Sequence, residues 1–370
     1  MFYIIYQCTN KKGWGWHTVG RDVINSILKS SSSRQSFLNG EMSATRKRKM
    51  PLGCLKIRES KKDNFKSCGL RLITHVMKEY KREQNRLKAL VNEILHSIFF
   101  LGFIHEDHNI PEDVLPKTTE NVKQEFPEPF EKYSSHLPKR TPFSILLDIM
   151  DLKNDTTEKI LKKLCSLMED LKFPYPLNKP GNKTQHFYTL ESTVICVCFN
   201  NHSPSNIHVG ASLGCRKKAK SIMIYSSCIN NTWHPYVSQA VMSFSHQTLE
   251  SDGLKFPGSM HCQAYLRDWE ANKYEPIQPC KNCQCLFNLP GKGTEQKHYP
   301  YGNCAETECL SKLLINDKRM EVNTVFNYTP DNMKMLQKLT KKKLREELDS
   351  ITHLQGNEDL HRLLVFNPNS

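Results

Sequence analysis

His298-Tyr299-Pro300-Tyr301-Gly302-Asn303-Cys304-Ala305-Glu306-Thr307-Glu308 decides how the C-terminal half of this chain is read. Upstream of it stands Gln278-Pro279-Cys280-Lys281-Asn282-Cys283. Cys280 and Cys283 are spaced to grip one metal ion. Cys304 can supply a third thiolate, and Glu306, two residues on, sets a carboxyl beside it. Three protein ligands plus water is the arrangement of a catalytic zinc site, because the open position takes the nucleophile; a fourth protein ligand would close the shell. The residue pattern therefore points to Zn2+ on Cys280, Cys283 and Cys304, with Glu306 as the acid–base group.

Local signals favour two helices starting at these motifs. Asn303, after Gly302, reads as an N-cap, which puts Cys304 at the first helical position and Glu306 at the third. Pro279 likewise suits a helix beginning near Cys280. Three thiolates on a divalent ion leave a net charge of −1. Helix N-termini aimed at the site offset that charge by ~0.3–1 kcal/mol per nearby anion and lower the thiol pKa values. The expected geometry is thus two helices converging on one ion by their N-terminal ends.

Tyr299-Pro300-Tyr301-Gly302-Asn303-Cys304-Ala305-Glu306 resembles the stretch around Cys-Ala-Glu in the zinc-dependent cytidine deaminase superfamily. Pro279-Cys280-Lys281-Asn282-Cys283 is similar to that superfamily's Pro-Cys-x-x-Cys. His208-Val209-Gly210-Ala211-Ser212-Leu213 echoes the Val-Gly-Ala strand that precedes the metal motifs in free-nucleoside deaminases. In the family Cys-Ala-Glu comes first and Pro-Cys-x-x-Cys follows. Here the order is reversed, and no Cys-x-x-Cys occurs after Glu306. The resemblance implies hydrolytic deamination of a cytosine-type base in a nucleoside or nucleic acid. It also implies that Glu306, not itself a ligand, shuttles protons. A different class of function stands beside it: a non-enzymatic zinc-stabilised module that binds protein or nucleic acid, or a deaminase fold that has lost catalysis.

Two other uses of the same cysteines compete. Cys280, Cys283, Cys304 and Cys309 also read as a four-thiolate structural knot, which leaves no room for water. A helix opposes it, since five residues turn about 140° at ~3.6 residues per turn and point Cys304 and Cys309 apart. Cys285 and His298 are spare ligands. The remaining reading is a metal-free set of ordinary buried cysteines. His208 and the His261-Cys262 pair carry nothing that ties them to the metal. Tyr299 and Tyr301 suit either packing or stacking on a base.

The whole chain of 370 residues carries a net charge of +14, and charged residues make up 24% of it. Its pI is near 9.1 and its mean hydropathy −0.57. This balance favours an anionic partner, RNA or single-stranded DNA among them. No stretch approaches the ~18 apolar residues of a membrane span, and the run Met1 to Tyr6 is shorter than the ~7–15 residues of a signal h-region. The expected compartment is intracellular, cytoplasmic and/or nuclear, where clustered cysteines are metal ligands more often than disulfides.

Organisation follows from composition and periodicity. Residues 1–63, with Ser30 to Ser33 and the run Arg46-Lys47-Arg48-Lys49, read as a disordered basic and serine-rich segment. Residues 64–173 read as a helical region suited to packing or to a protein partner. One helix is expected over Cys68 to Leu101, weakest at Lys81 to Arg86. A second starts near Asp155 with Ile160, Leu164, Leu167, Met168 and Leu171 on one face. Residues 181–370 read as a deaminase-like zinc-binding α/β domain, with a mixed sheet and flanking helices. Its expected strands are Thr193 to Phe199, Ile207 to Leu213, Ser221 to Tyr225 and a short one at Val325-Phe326. Helices are expected at Tyr236 to His246, after Cys304, and at Lys334 to Leu348.

Overall fold

The computed structural model describes residues 64–116, 119–152, 155–171, 190–215, 217–247, 252–269, 271–291 and 299–369. The segment 1–63, the Pro174 to Pro180 boundary and His298 lie outside the described residues.

The long apolar stripe of the N-terminal region forms two helices, α1 (Asn64–Arg82) and α2 (Gln84–Phe103). The chain breaks at Glu83, with φ −139° and ψ 56°, within the charged stretch where the periodicity lapses. Leu72, Ile73, Val76 and Tyr80 of α1 and Leu87, Val91, Ile94 and Ile98 of α2 are buried together. Short helices follow: α3 (Pro111–Val114), α4 (Thr119–Glu125), α5 (Pro127–Lys132) and α6 (Pro142–Ile149). Proline opens three of them, where its missing N–H costs nothing. Then α7 (Thr157–Leu171) buries Ile160, Leu164, Leu167, Met168 and Leu171, as the spacing requires. The Thr156 hydroxyl accepts the Lys159 N–H at 3.4 Å, so the helix starts one residue past Asp155.

Four strands make one sheet in the order β2-β1-β3-β4: β1 (Val194–Asn200), β2 (His208–Ala211), β3 (Met260–Asp268) and β4 (Lys273–Ile277). Every strand pairing within this sheet is antiparallel, which corrects the expected mixed sheet. The connections between β1 and β2 and between β3 and β4 are too short for a crossover, and a short connection leaves antiparallel neighbours as the only choice. Pro276 sits in the edge strand β4, where a missing donor is tolerated. Alternate residues of β1 serve opposite sides of the sheet. Ile195 and Val197 join the core that includes Ile98 and Leu164; Cys196 and Cys198 join a second core with Val241, Leu286 and Leu310.

Between β2 and β3 run α8 (Lys217–Ile229) and α9 (Pro235–His246). The expected strand at Ser221 to Tyr225 is part of α8. Ile222, Met223, Ile224, Ser226, Ser227, Cys228 and Ile229 are all buried. A helix covered on most sides shows the continuous apolar run that a buried strand shows. After β4 come α10 (Lys281–Phe287), α11 (Ala305–Asn316), α12 (Lys318–Asn323) and α13 (Pro330–Asp349). A last short helix, α14 (Glu358–His361), precedes Phe366, which stacks on His96 of α2 at 4.0 Å between ring centroids. The strand expected at Val325-Phe326 is reduced to one antiparallel bridge with Lys255. No helix among the described residues is long and apolar enough to cross a membrane.

Gly210 on β2 lets α11 lie against the sheet. A Cβ there would fall 2.4 Å from the Cys309 backbone N and 2.6 Å from the Ala305 carbonyl. Both atoms belong to helix backbone, so neither can step aside. Gly210→Ala is expected to destabilise the chain by about 3 kcal/mol, the upper end of overpacking costs. Denaturant midpoints measure this; a loss under about 0.5 kcal/mol would mean that α11 does not pack this closely.

Candidate metal centre

Cys280 and Cys304 are the N-cap residues of α10 and α11, both with extended backbone. The cap is one residue later than expected: Cys304, not Asn303, precedes the first helical residue, and Glu306 is the second residue of α11. Asn303 instead closes a turn, its N–H donating to the Pro300 carbonyl at 3.2 Å. Gly302 takes the position of that turn which needs positive φ, here +89°. The missing side chain also matters, because Val241, Ile224 and Trp233 crowd the space a Cβ would fill.

Two hydrogen bonds draw the motifs together. The Asn282 side chain donates to the Tyr299 carbonyl at 2.8 Å. The Leu213 N–H, just past β2, donates to the Asn303 carbonyl at 3.0 Å. The result brings the sulfurs of Cys280, Cys283 and Cys304 within 4.8 Å of one another. Cys280 lies 3.4 Å from Cys304 and 3.7 Å from Cys283. This triad could hold a metal ion. Without one, the Cys280 thiol is held far below the usual thiol range, first by hydrogen bonding with Cys283 and then with Cys304. The Cys283 and Cys304 thiols are pushed up, chiefly by the same contacts with Cys280. One thiolate, Cys280, is thus stabilised by two neutral thiols, and a cation bound by all three would displace the protons of Cys283 and Cys304.

Glu306 is 4% exposed and sits against this cluster. Burial pushes its carboxyl up to about 7, its own backbone N–H pulls the other way, the Cys280 charge raises it further, and a hydrogen bond from Cys283 lowers it. Two nearby polar atoms, Asn303 Oδ1 and Thr307 Oγ1, are buried and have no hydrogen-bond partner among the described residues. Tyr301 packs on Phe244, 5.2 Å between centroids, so its role is at least partly packing. Tyr299 is 42% exposed with the Lys220 ammonium 4.9 Å from its ring centroid.

The structure separates Cys309 and Cys285 from the triad. Among the described residues no further His, Cys, Asp or Glu joins the three sulfurs within mutual range. Cys309 turns toward the sheet, where its sulfur is 2.7 Å from Cys198 Sγ and donates to the His208 carbonyl at 3.1 Å. Cys196 and Cys262 sulfurs meet at 3.4 Å beside it. Burial pushes the Cys196 and Cys198 thiols up and makes them poor nucleophiles. This group of four sulfurs was not foreseen, although the alternation Cys196-Val197-Cys198 already places two of them on one face. The His208 ring is buried at the end of β2, and His261 stacks on Phe199 at 4.5 Å; neither reaches the triad.

Cys309→Ser is therefore expected to keep a bound metal and to cost little stability, about 1 kcal/mol, because the serine hydroxyl can still donate to the His208 carbonyl. Metal analysis beside a melting curve checks both halves. Loss of metal from a folded variant would restore the four-thiolate knot.

Comparison with protein-family models, with curated proteins and with solved structures returned no match.

Proposed function

We propose that this chain is a zinc-dependent hydrolytic deaminase acting on a cytosine-type base. The observation that carries the reading is a buried carboxyl, Glu306, set against three converged sulfurs that no fourth described ligand joins. Zinc suits the donors. Tetrahedral zinc with Zn–S near 2.3 Å sets sulfurs about 3.8 Å apart, and Cys280 Sγ lies 3.4 Å from Cys304 Sγ and 3.7 Å from Cys283 Sγ. The resemblance of Tyr299 to Glu306 and of Pro279 to Cys283 to the cytidine deaminase motifs gives the reading its reaction class. The reversed motif order is accommodated if both helix starts meet, and Cys280 and Cys304 cap α10 and α11 side by side.

When bound, the ion supplies Lewis acidity and makes water acidic enough to ionise near neutral pH. The rest belongs to the chain. Cys280, Cys283 and Cys304 would hold the ion. The N-terminal end of α11 offsets part of their negative charge. Glu306, a carboxyl that burial raises from its ordinary range, is placed for both directions of proton transfer. It takes a proton from the attacking water, passes it to the ring nitrogen, and then helps the amine leave as ammonia. The buried Asn303 Oδ1 offers an acceptor beside Cys304 for a donor on the base. A net charge of +14, with Tyr299 exposed beside Lys220, favours a nucleic-acid strand over a free nucleoside.

The test is ammonia release by the zinc-loaded chain from cytidine, deoxycytidine, and cytosine-containing RNA and single-stranded DNA. Activity is expected on the oligonucleotides. A folded, zinc-loaded chain that releases none from the whole panel would sink the enzymatic reading and leave a metal-stabilised binding module.

A further inference from the structure

Glu308 lies two residues past Glu306 on α11, is 7% exposed, and has no part in the chemistry above. Its carboxylate is engaged on three sides. One oxygen accepts the Ala211 N–H of β2 at 3.0 Å. The other meets the Ser144 hydroxyl of α6 and, at 2.8 Å, the Lys312 ammonium one turn further along α11. Lys312 continues outward to Asp148 of α6 at 2.9 Å and to the Val209 carbonyl of β2 at 3.1 Å. Asp148 pairs with Arg140, and Arg140 grips Glu93 of α2 through two bonds of 3.0 and 2.7 Å. Charges alternate along the whole line: Glu308, Lys312, Asp148, Arg140, Glu93.

The network answers a geometric need. Sliding α11 by one residue's rise moves Cys304 by about 1.5 Å, enough to take its sulfur out of reach of the other two. The face that α11 turns to the core, with Cys309, Leu310 and Leu313, is apolar. Apolar contact is non-directional, so on this face the register of α11 is set by the Cys309 bond to the His208 carbonyl and the seat at Gly210. Hydrogen bonds and paired charges are directional. Buried ion pairs add little net stability compared with apolar residues of the same shape, so the register of α11 is the property this network is suited to supply.

We propose that Glu308 is a positioning residue for the metal centre: through Ala211, Ser144 and the Lys312–Asp148–Arg140–Glu93 line it fixes α11 against β2 and the N-terminal helices, and so holds Cys304 and Glu306 in register with Cys280 and Cys283. The inference rests on the reading of the triad as a metal site, not on the reaction assigned to it. It also gives the N-terminal helices a part in metal binding, since Glu93 lies on α2, Ser144 and Asp148 lie on α6, and Arg140 just precedes α6.

The test uses the full chain with Zn2+ affinity from chelator competition, the Co2+ absorption spectrum as a probe of thiolate geometry, and a melting curve. Glu308→Gln is expected to weaken Zn2+ by about 10–100-fold, the usual effect of losing a group that orients a ligand, and to alter the Co2+ spectrum. Adding Lys312→Met removes the ammonium that has lost one of its two carboxylate partners. The melting temperature is then expected to recover while the weak Zn2+ binding persists, a separation that a merely stabilising role would not produce. Ser144→Ala removes one contact without stranding a charge and serves if the other variants fail to fold; it is expected to weaken Zn2+ measurably, in the same direction. Wild-type Zn2+ affinity and Co2+ spectrum in Glu308→Gln, or in Ser144→Ala where only that variant folds, would overturn the proposal. So would affinity that recovers together with stability in the double variant. A wild-type chain that binds neither ion would overturn the triad reading itself, and this one with it.

Discussion

Cys283→Ser is expected to empty the metal centre, and the wild-type chain is expected to carry about one zinc ion per molecule. Cys283 is the innermost of the three ligands, 0% exposed, with its sulfur 3.7 Å from Cys280 and a hydrogen bond to Glu306. Serine in its place offers a hydroxyl that does not ionise near neutral pH and binds zinc poorly. Structural zinc sites bind with ~10–16 kcal/mol in all. One thiolate's share of that corresponds to a loss of at least about 10²–10³-fold in affinity, at 1.4 kcal/mol per decade. Chelator competition on wild type and variant measures it, with metal analysis of the purified chain giving the stoichiometry. Well-folded wild-type chain without zinc, or Cys283→Ser with its zinc intact, would end the metal hypothesis. Chelation should also free the Cys280 thiolate, the most acidic of the three, to react first with an alkylating agent.

Glu306→Gln is expected to remove the proposed turnover and to leave the metal in place. The carboxyl is beside the sulfurs and is not one of the three ligands, so its loss takes away proton transfer without opening the site. Glutamine keeps the size and one hydrogen-bonding oxygen. Ammonia release is expected to fall by ~10²–10⁴, the usual worth of a positioned acid–base group. Zinc content and melting temperature are expected near those of wild type. Turnover that survives the substitution would remove Glu306 from the mechanism. Loss of zinc together with turnover would make Glu306 a ligand or a scaffold instead.

The two substitutions bear on residues that stood out in the sequence for chemical reasons, and the same holds for part of the fold. The β-branched run at Val194 to Val197 and the stripe Ile160, Leu164, Leu167, Met168 and Leu171 are local patterns, and each forms its expected element. β3 and β4 were not foreseen. Met260 to Asp268 mixes His261, Gln263 and Arg267 with apolar residues, and its burial follows from β1 and β4 on either side, not from its own alternation. The strand read at Ser221 to Tyr225 failed for the opposite reason: cover on most sides of α8 erased the amphipathic period.

By itself the sequence determined which side chains can bind a metal and where helices begin beside them. Cys280-x-x-Cys283, Cys304 and Glu306 carry that information in their chemistry and spacing, over fewer than thirty positions. Tertiary structure decided the rest. It chose which cysteines converge, gathering Cys304 to Cys280 and Cys283 while turning Cys309 to Cys198, more than a hundred residues away in the chain. It also assembled Glu93, Arg140, Asp148, Glu308 and Lys312 into one line of charges. Periodicity and spacing report only neighbours along the chain. The line from Glu93 to Lys312 through Arg140 and Asp148 exists because the antiparallel sheet, the gap left by Gly210 and the packing of α11 on β2 place distant segments together, and no local pattern encodes that juxtaposition.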